Sequence, residues 1–119
     1  MRNNISTGSK WEPIIGYSRA VKVGPYVHVS GTTAPGATAA EQTRAALATI
    51  GQALEKAGAS FKDVVRTRIF TTDISQWEAI GAVHGEIFGD IRPATTMLEV
   101  AKLIDPTLII EIEADAYIG

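Results

Sequence analysis

Apolar and polar residues alternate on both sides of Gly24-Pro25 in RAVKVGPYVHVS, residues 19–30. Period two over short runs marks half-buried strands, and a Gly-Pro pair between them marks a tight turn. The pattern predicts a hairpin running into the loop Ser30-Gly31-Thr32-Thr33. The period then changes. Thr43, Leu47, Ile50, Leu54 and Ala57 recur at spacings of four and three, which is one stripe of a helix. Thr38 and Glu41 fit a capping box at its start, and Gly58 suits its end. Residues 64–72, VVRTRIFTT, are β-branched and aromatic and predict a strand. Ser75-Gln76-Trp77-Glu78 offers a second capping box. Trp77, Ile80, Val83, Ile87 and Phe88 form a second helical stripe, which Gly89 closes. Thr95–Val100 and Leu108–Tyr117 read as two further strands, divided at Asp105-Pro106.

The order is β, β, α, β, α, β, β, with room for an additional N-terminal strand. Two helical stripes cannot cover both faces of a sheet. The order therefore predicts an α+β two-layer sandwich with both helices on one face. Strand alternation sorts the side chains by face. Val27, Val29, Val65, Thr67, Ile69, Leu98, Val100, Ile110 and Ile112 fall toward the helices. Tyr26, His28, Ser30, Arg66, Arg68, Phe70, Thr95, Met97, Glu111, Glu113 and Tyr117 fall on the opposite face. That mixture of aromatic and charged side chains fits a subunit interface better than a solvated surface.

Composition narrows the possibilities. The 119 residues suggest one domain, 1–119. There is no cysteine, which excludes disulfides, a thiolate nucleophile and Cys-based metal sites, and fits a cytoplasmic protein. The net charge is −2 with no basic run, so no nucleic-acid partner is expected. MRNNISTGSKWEP has no apolar signal core, and no stretch approaches a membrane span. His28 and His84 have no ligand spacing, so no metal is expected; no other cofactor is expected either.

Candidate chemistry is sparse. Glu111 and Glu113 sit in an Ile/Ala-rich strand, where burial at an interface would suit one of them for acid–base work. Each could instead pair with Arg66 or Arg68 across the sheet. Ser30 at a strand end can donate to a ligand or satisfy its own turn. Tyr17 can present a hydroxyl to a pocket or simply pack on a loop. His84 lies on the apolar stripe of its helix and reads as a packed core histidine. Arg92 could fork onto a carboxylate, and Thr95-Thr96 could hold a ligand or merely begin a strand.

A series of short motifs runs along the chain. It comprises Gly16-Tyr17-Ser18-Arg19-Ala20-Val21, Val29-Ser30-Gly31, Gln42-Thr43, Asp63-Val64-Val65, Thr72-Asp73, Arg92-Pro93-Ala94-Thr95-Thr96, Val100-Ala101 and Glu111-Ile112-Glu113-Ala114. In order and spacing this series resembles the RidA (YjgF/L-PSP) family over nearly the whole chain. The resemblance implies a chorismate-mutase-like fold and a homotrimer with a central barrel and small-molecule sites between subunits. It also implies enamine/imine deamination as the prototype activity. Tyr17 and Ser30 match pocket positions, and Glu111 matches an acid that orients the hydrolytic water. In deaminating members an arginine directly follows Pro-Ala and clamps the substrate carboxylate. Thr95 stands there in this chain, and Gly81 stands where a pocket asparagine is found. A hydroxyl does not replace a bidentate guanidinium, and losing such a buried contact costs about 2–5 kcal/mol.

The expectation is therefore a trimeric small-molecule-binding protein or hydrolase whose ligand is uncharged or hydroxyl-bearing. Glu111 would be its acid–base group, with Tyr17, Ser30, Gly31, Thr95, Thr96 and Met97 lining the site. One alternative is an imine deaminase using Arg92 as a substitute clamp. Another is a metabolite-binding module without turnover.

Overall fold

The hairpin forms where the alternation places it. In a computed structural model describing residues 1–119, β2 (Ala20–Val23) and β3 (Tyr26–Thr32) pair antiparallel across a two-residue turn. Gly24 opens that turn at φ +57, a conformation any side chain would strain. The additional N-terminal strand exists: β1 (Arg2–Ile5) pairs with β2. A short helix, α1 (Trp11–Ile15), follows it, too brief to show a helical period in sequence.

The two long helices are α2 (Ala39–Lys56) and α3 (Trp77–Phe88). Thr38 caps α2 by accepting from Glu41 N at 3.2 Å, while Glu41 reaches back to Ala37 N rather than to Thr38. The expected Ser75 cap of α3 is corrected. Asp73 Oδ1 accepts from both the Ser75 amide and its hydroxyl, winding residues 74–76 into a 3-10 turn ahead of the helix. Gly89 also stays right-handed, and the chain turns left-handed only at Arg92, φ +58.

With β4 (Val64–Thr71), β5 (Ala94–Glu99) and β6 (Ile110–Tyr117), six strands make one sheet in the order β1-β2-β3-β6-β4-β5. Only β4 and β5 run parallel, with α3 on the connection between them. α2 lies across β3 and β6 and packs against α3. Leu47, Ile50 and Leu54 of α2 and Ile80 and Phe88 of α3 are buried against Val27, Ile69, Ile110 and Ile112. Burying each such side chain contributes about 1.5–3 kcal/mol. No helix is long and apolar enough to cross a membrane.

Two face assignments invert. Val64 is buried and Val65 exposed, because a bulge between Val64 and Arg66 inserts one residue against β6. On β5, Met97 pairs with Ile69 and packs on the helix side, which leaves Leu98 exposed. Met97 and Leu98 are consecutive apolar residues, so alternation alone could not choose between them. Thr95 follows Met97 to the helix side. The molecule is a slab only 19 Å thick. One sheet and one helix layer, stacked about 10 Å apart, account for that depth. Within one chain the second face is bare.

Candidate functional site

A second bulge, between Val29 and Thr32, sets Ser30 and Gly31 together against Glu113 of β6. It brings the Gly31 backbone against the side chain of Glu111. A Cβ on Gly31 would collide with Glu111 Oε2. The carboxylate thus occupies space that only glycine leaves open.

The two glutamates of β6 have different neighbours. Glu113 accepts from Arg68 Nη1 at 2.9 Å, and Arg68 lies 3.6 Å from Asp115. Asp115 also meets His28 Nδ1 at 2.8 Å. Glu111 stands opposite Phe70 and joins none of the chain's ion pairs. The cross-strand ion pair expected as one alternative therefore holds for Glu113 and not for Glu111. Its contribution is modest, since half-exposed pairs of this kind stabilise by about 0–1 kcal/mol.

Ser30 donates its hydroxyl to Ser18 O at 2.6 Å, and its amide donates to Arg19 O at 3.0 Å. Tyr17, Ser18 and Ser30 line an open cleft of about 560 Å³ that extends to Asn4, Ser6 and Glu12. Glu12 is buried, and its carboxylate accepts from the Thr7 hydroxyl at 2.8 Å and the Thr7 amide at 3.2 Å. The hydroxyls of Ser6 and then Thr7 hold its pKa below the usual carboxylate range. Arg19 donates through Nη2 to Gly31 O at 2.9 Å, and its Cζ lies 5.9 Å from the Tyr17 ring centre. Its Nε is shielded from solvent and has no hydrogen-bond partner.

The remaining candidates gather elsewhere. The Thr95 hydroxyl lies 2.8 Å from that of Thr67, which lies 2.9 Å from His84 Nε2. Burial pushes the His84 pKa down, favouring a neutral ring that can accept from Thr67. Thr96 is exposed on the bare face, in register with Arg68. Met97 is half-buried, and Arg92 is exposed at the chain reversal after α3. Two strands, β6 and β4, separate β3 from β5. At about 4.8 Å per step this sets Ser30 and Gly31 roughly 14 Å from β5, and Glu111 of β6 roughly 10 Å from it. One chain therefore sets Glu111 against Gly31 and puts Ser30 and Tyr17 on a neighbouring cleft, while Thr95, Thr96, Met97 and Arg92 lie apart. No cluster of three or more His, Asp or Glu side chains could hold a metal ion.

Arg19 and Glu12 were not singled out in the sequence. Hairpin arithmetic carried a signal for Arg19: a two-residue turn at 24–25 pairs residues whose numbers sum to a constant, which sets Arg19 opposite Ser30. Glu12 gave none, because its partners come from an irregular segment.

The model of the family described as Endoribonuclease L-PSP matches residues 7–118. The chain belongs to the RidA (YjgF/L-PSP) family. Its α+β fold is also that of solved RidA/YjgF structures. A crystal structure of Rv2704 from Mycobacterium tuberculosis, described as a member of the YjgF/YER057c/UK114 family, is 56% identical with a TM-score of 0.96. That match covers 98% of this chain and 99% of the other. A protein of Acinetobacter baylyi named 3-aminoacrylate deaminase RutC is 36% identical over 114 residues, 89% of this chain and 90% of that protein. A RutC family protein of Pyrococcus abyssi is 35% identical over 114 residues, 89% of each.

Proposed function

We propose that this RidA-family protein hydrolyses small imine- or enamine-type C–N bonds at a site shared between copies of a homotrimer, with Glu111 as the acid–base group. The observation that carries the reading is the unequal fate of the two glutamates. Arg68 pairs with Glu113, while Glu111 is seated on Gly31 and joins no ion pair of the chain. A carboxylate with no partner in the chain to occupy it is the kind of group a general acid–base step uses. Similarity to the Acinetobacter deaminase supports the reaction class.

In the proposed reaction Glu111 takes a proton from water as the water oxygen adds to the carbon of a protonated imine. The product is a carbinolamine. Glu111 then returns the proton to nitrogen, the C–N bond breaks, and ammonia leaves as the C=O bond forms and the hydroxyl proton passes to solvent. Tyr17, Ser30 and Gly31 would come from one copy, and Thr95, Thr96, Met97 and Arg92 from its neighbour. The roughly 10–14 Å that separates these groups within one chain supports a shared site, as does the bare aromatic and charged face.

The test is Glu111→Gln, assayed on imino acids that an amino-acid oxidase generates in situ. Turnover should fall about 10²–10⁴-fold, the range of general acid–base help, with ligand affinity retained. A wild-type protein that binds ligand without accelerating hydrolysis would favour the second reading, a metabolite-binding module. One observation favours that reading: the hydroxyl of Thr95 is within hydrogen-bond distance of Thr67, so it offers a ligand little. The endoribonuclease in the family description is a weaker candidate for this chain, since a net charge of −2 suits a phosphate backbone poorly.

A further inference from the structure

We infer that Arg19 is the anion-recognising residue of the Glu111 site, and that the ligands of this site carry a carboxylate. Recognition by Arg19 does not depend on turnover. The proposed hydrolysis enters only in the step that would follow binding.

Arg19 and Glu111 reach the same glycine from opposite ends of the chain. The hairpin sets Arg19 against Ser30, whose amide it receives, and Arg19 Nη2 donates to Gly31 O at 2.9 Å. The carboxylate of Glu111 rests on the Cα of that same Gly31. A guanidinium and a carboxylate thus flank one residue and still form no ion pair with each other. A cation and an anion on either side of one residue, each unpaired with the other, could both face a ligand seated at that residue.

The hydrogen bonding of Arg19 is also incomplete. A guanidinium has five N–H donors in a planar fork. Arg19 uses one of them on Gly31 O, and its shielded Nε meets no acceptor at all. The donors a ligand can reach are those of the two Nη groups, and Gly31 O takes only one of them. A carboxylate offers two acceptor oxygens at the spacing of the fork. The Tyr17 ring lies within stacking reach of the guanidinium, and the same Tyr17 lines the cleft. Glu12 is the obvious internal competitor. It attracts Arg19, but its carboxylate is occupied by Thr7 and makes no ion pair.

The chemistry then fits together. A short acid with its C=N carbon next to the carboxylate would hand the anion to Arg19 and turn the reacting carbon toward Glu111. Arg19 would be a specificity-determining residue, setting KM more than kcat. Thr95 suggests an uncharged or hydroxyl-bearing ligand; Arg19 would instead take an anion, held from the β2–β3 side of the site.

Acrylate and acrylamide share a heavy-atom skeleton and differ in charge, so their binding to the intact oligomer is the direct test. Titrations followed by NMR on the wild type, Arg19→Gln, Arg19→Lys and Glu111→Gln compare the two. Wild type should prefer acrylate by about 10-fold or more, as expected of a charge-assisted fork. Arg19→Gln should abolish the preference, Arg19→Lys should keep part of it, and Glu111→Gln should retain or strengthen it. Equal binding of the two ligands by wild type, or an undiminished preference in Arg19→Gln, overturns the inference. If Arg19→Gln fails to fold, the wild-type preference and its partial loss in Arg19→Lys decide. A wild type that prefers acrylate and hydrolyses no imine would sink the proposed function and leave the role of Arg19 standing.

Discussion

Gly31 has no Cβ, and Glu111 Oε2 fills the space where one would stand. In Gly31→Ala the added methyl would have to push the carboxylate aside. The group displaced is the far end of a flexible side chain, and Gly31 is not in the left-handed region. The fold should therefore lose less than about 1 kcal/mol, read as a small shift in urea midpoint. Hydrolysis should nevertheless fall nearly as far as in Glu111→Gln. Full activity with an unshifted carboxylate would remove Glu111 from the mechanism. Much of this neighbourhood was legible in the sequence. Alternation alone sets Glu111 on the face away from the helices, and a Ser-Gly pair at a strand end announces irregular backbone. The distinction between Glu111 and Glu113 was not legible. It depends on which residue of β4 lies opposite each, and the bulge at Val65 shifts that register by one residue. Nothing local in VVRTRIFTT announces the bulge.

α2 does more than cover the sheet. Its Gln42 is buried and clamps two loops at once. Nε2 donates to Gly36 O and Thr107 O, both at 3.0 Å, and Oε1 accepts from Ile109 N at 2.7 Å. Gln42→Leu fits the volume but strands these backbone groups away from water. Denaturant unfolding should show a loss of about 3 kcal/mol, while a surface change such as Gln52→Leu should cost little. A loss below about 0.5 kcal/mol would mean that the loops find other partners. At this scale the long helices and most strands followed from period, since each spans enough residues to repeat it. The ends were harder to read. Ser75 and Asp73 both offer capping oxygens, and Asp73 prevails by closing a tight turn on Ser75. Met97 and Leu98 both suit a core, and only pairing with Ile69 selects Met97.

For the whole molecule, the family resemblance implies a homotrimer, which would cover the bare face of the 19 Å slab. Light scattering at micromolar concentration should give three times the 12.7 kDa chain mass. A monomer would sink the shared site, because one chain cannot bring Thr95 to Glu111. The sheet order has another consequence. β6 is the last strand in the sequence, yet it lies between β3 and β4 and is what joins them. A ribosome delivers residues from the N-terminus, so the β1-β2-β3 piece and the β4-β5 piece emerge as separate halves. Neither can complete the sheet until residues 110–117 arrive. The same eight residues bring Glu111. Closure of the fold and arrival of the proposed acid are therefore one event, and a chain released before residue 110 would have neither a closed sheet nor the Glu111 carboxylate.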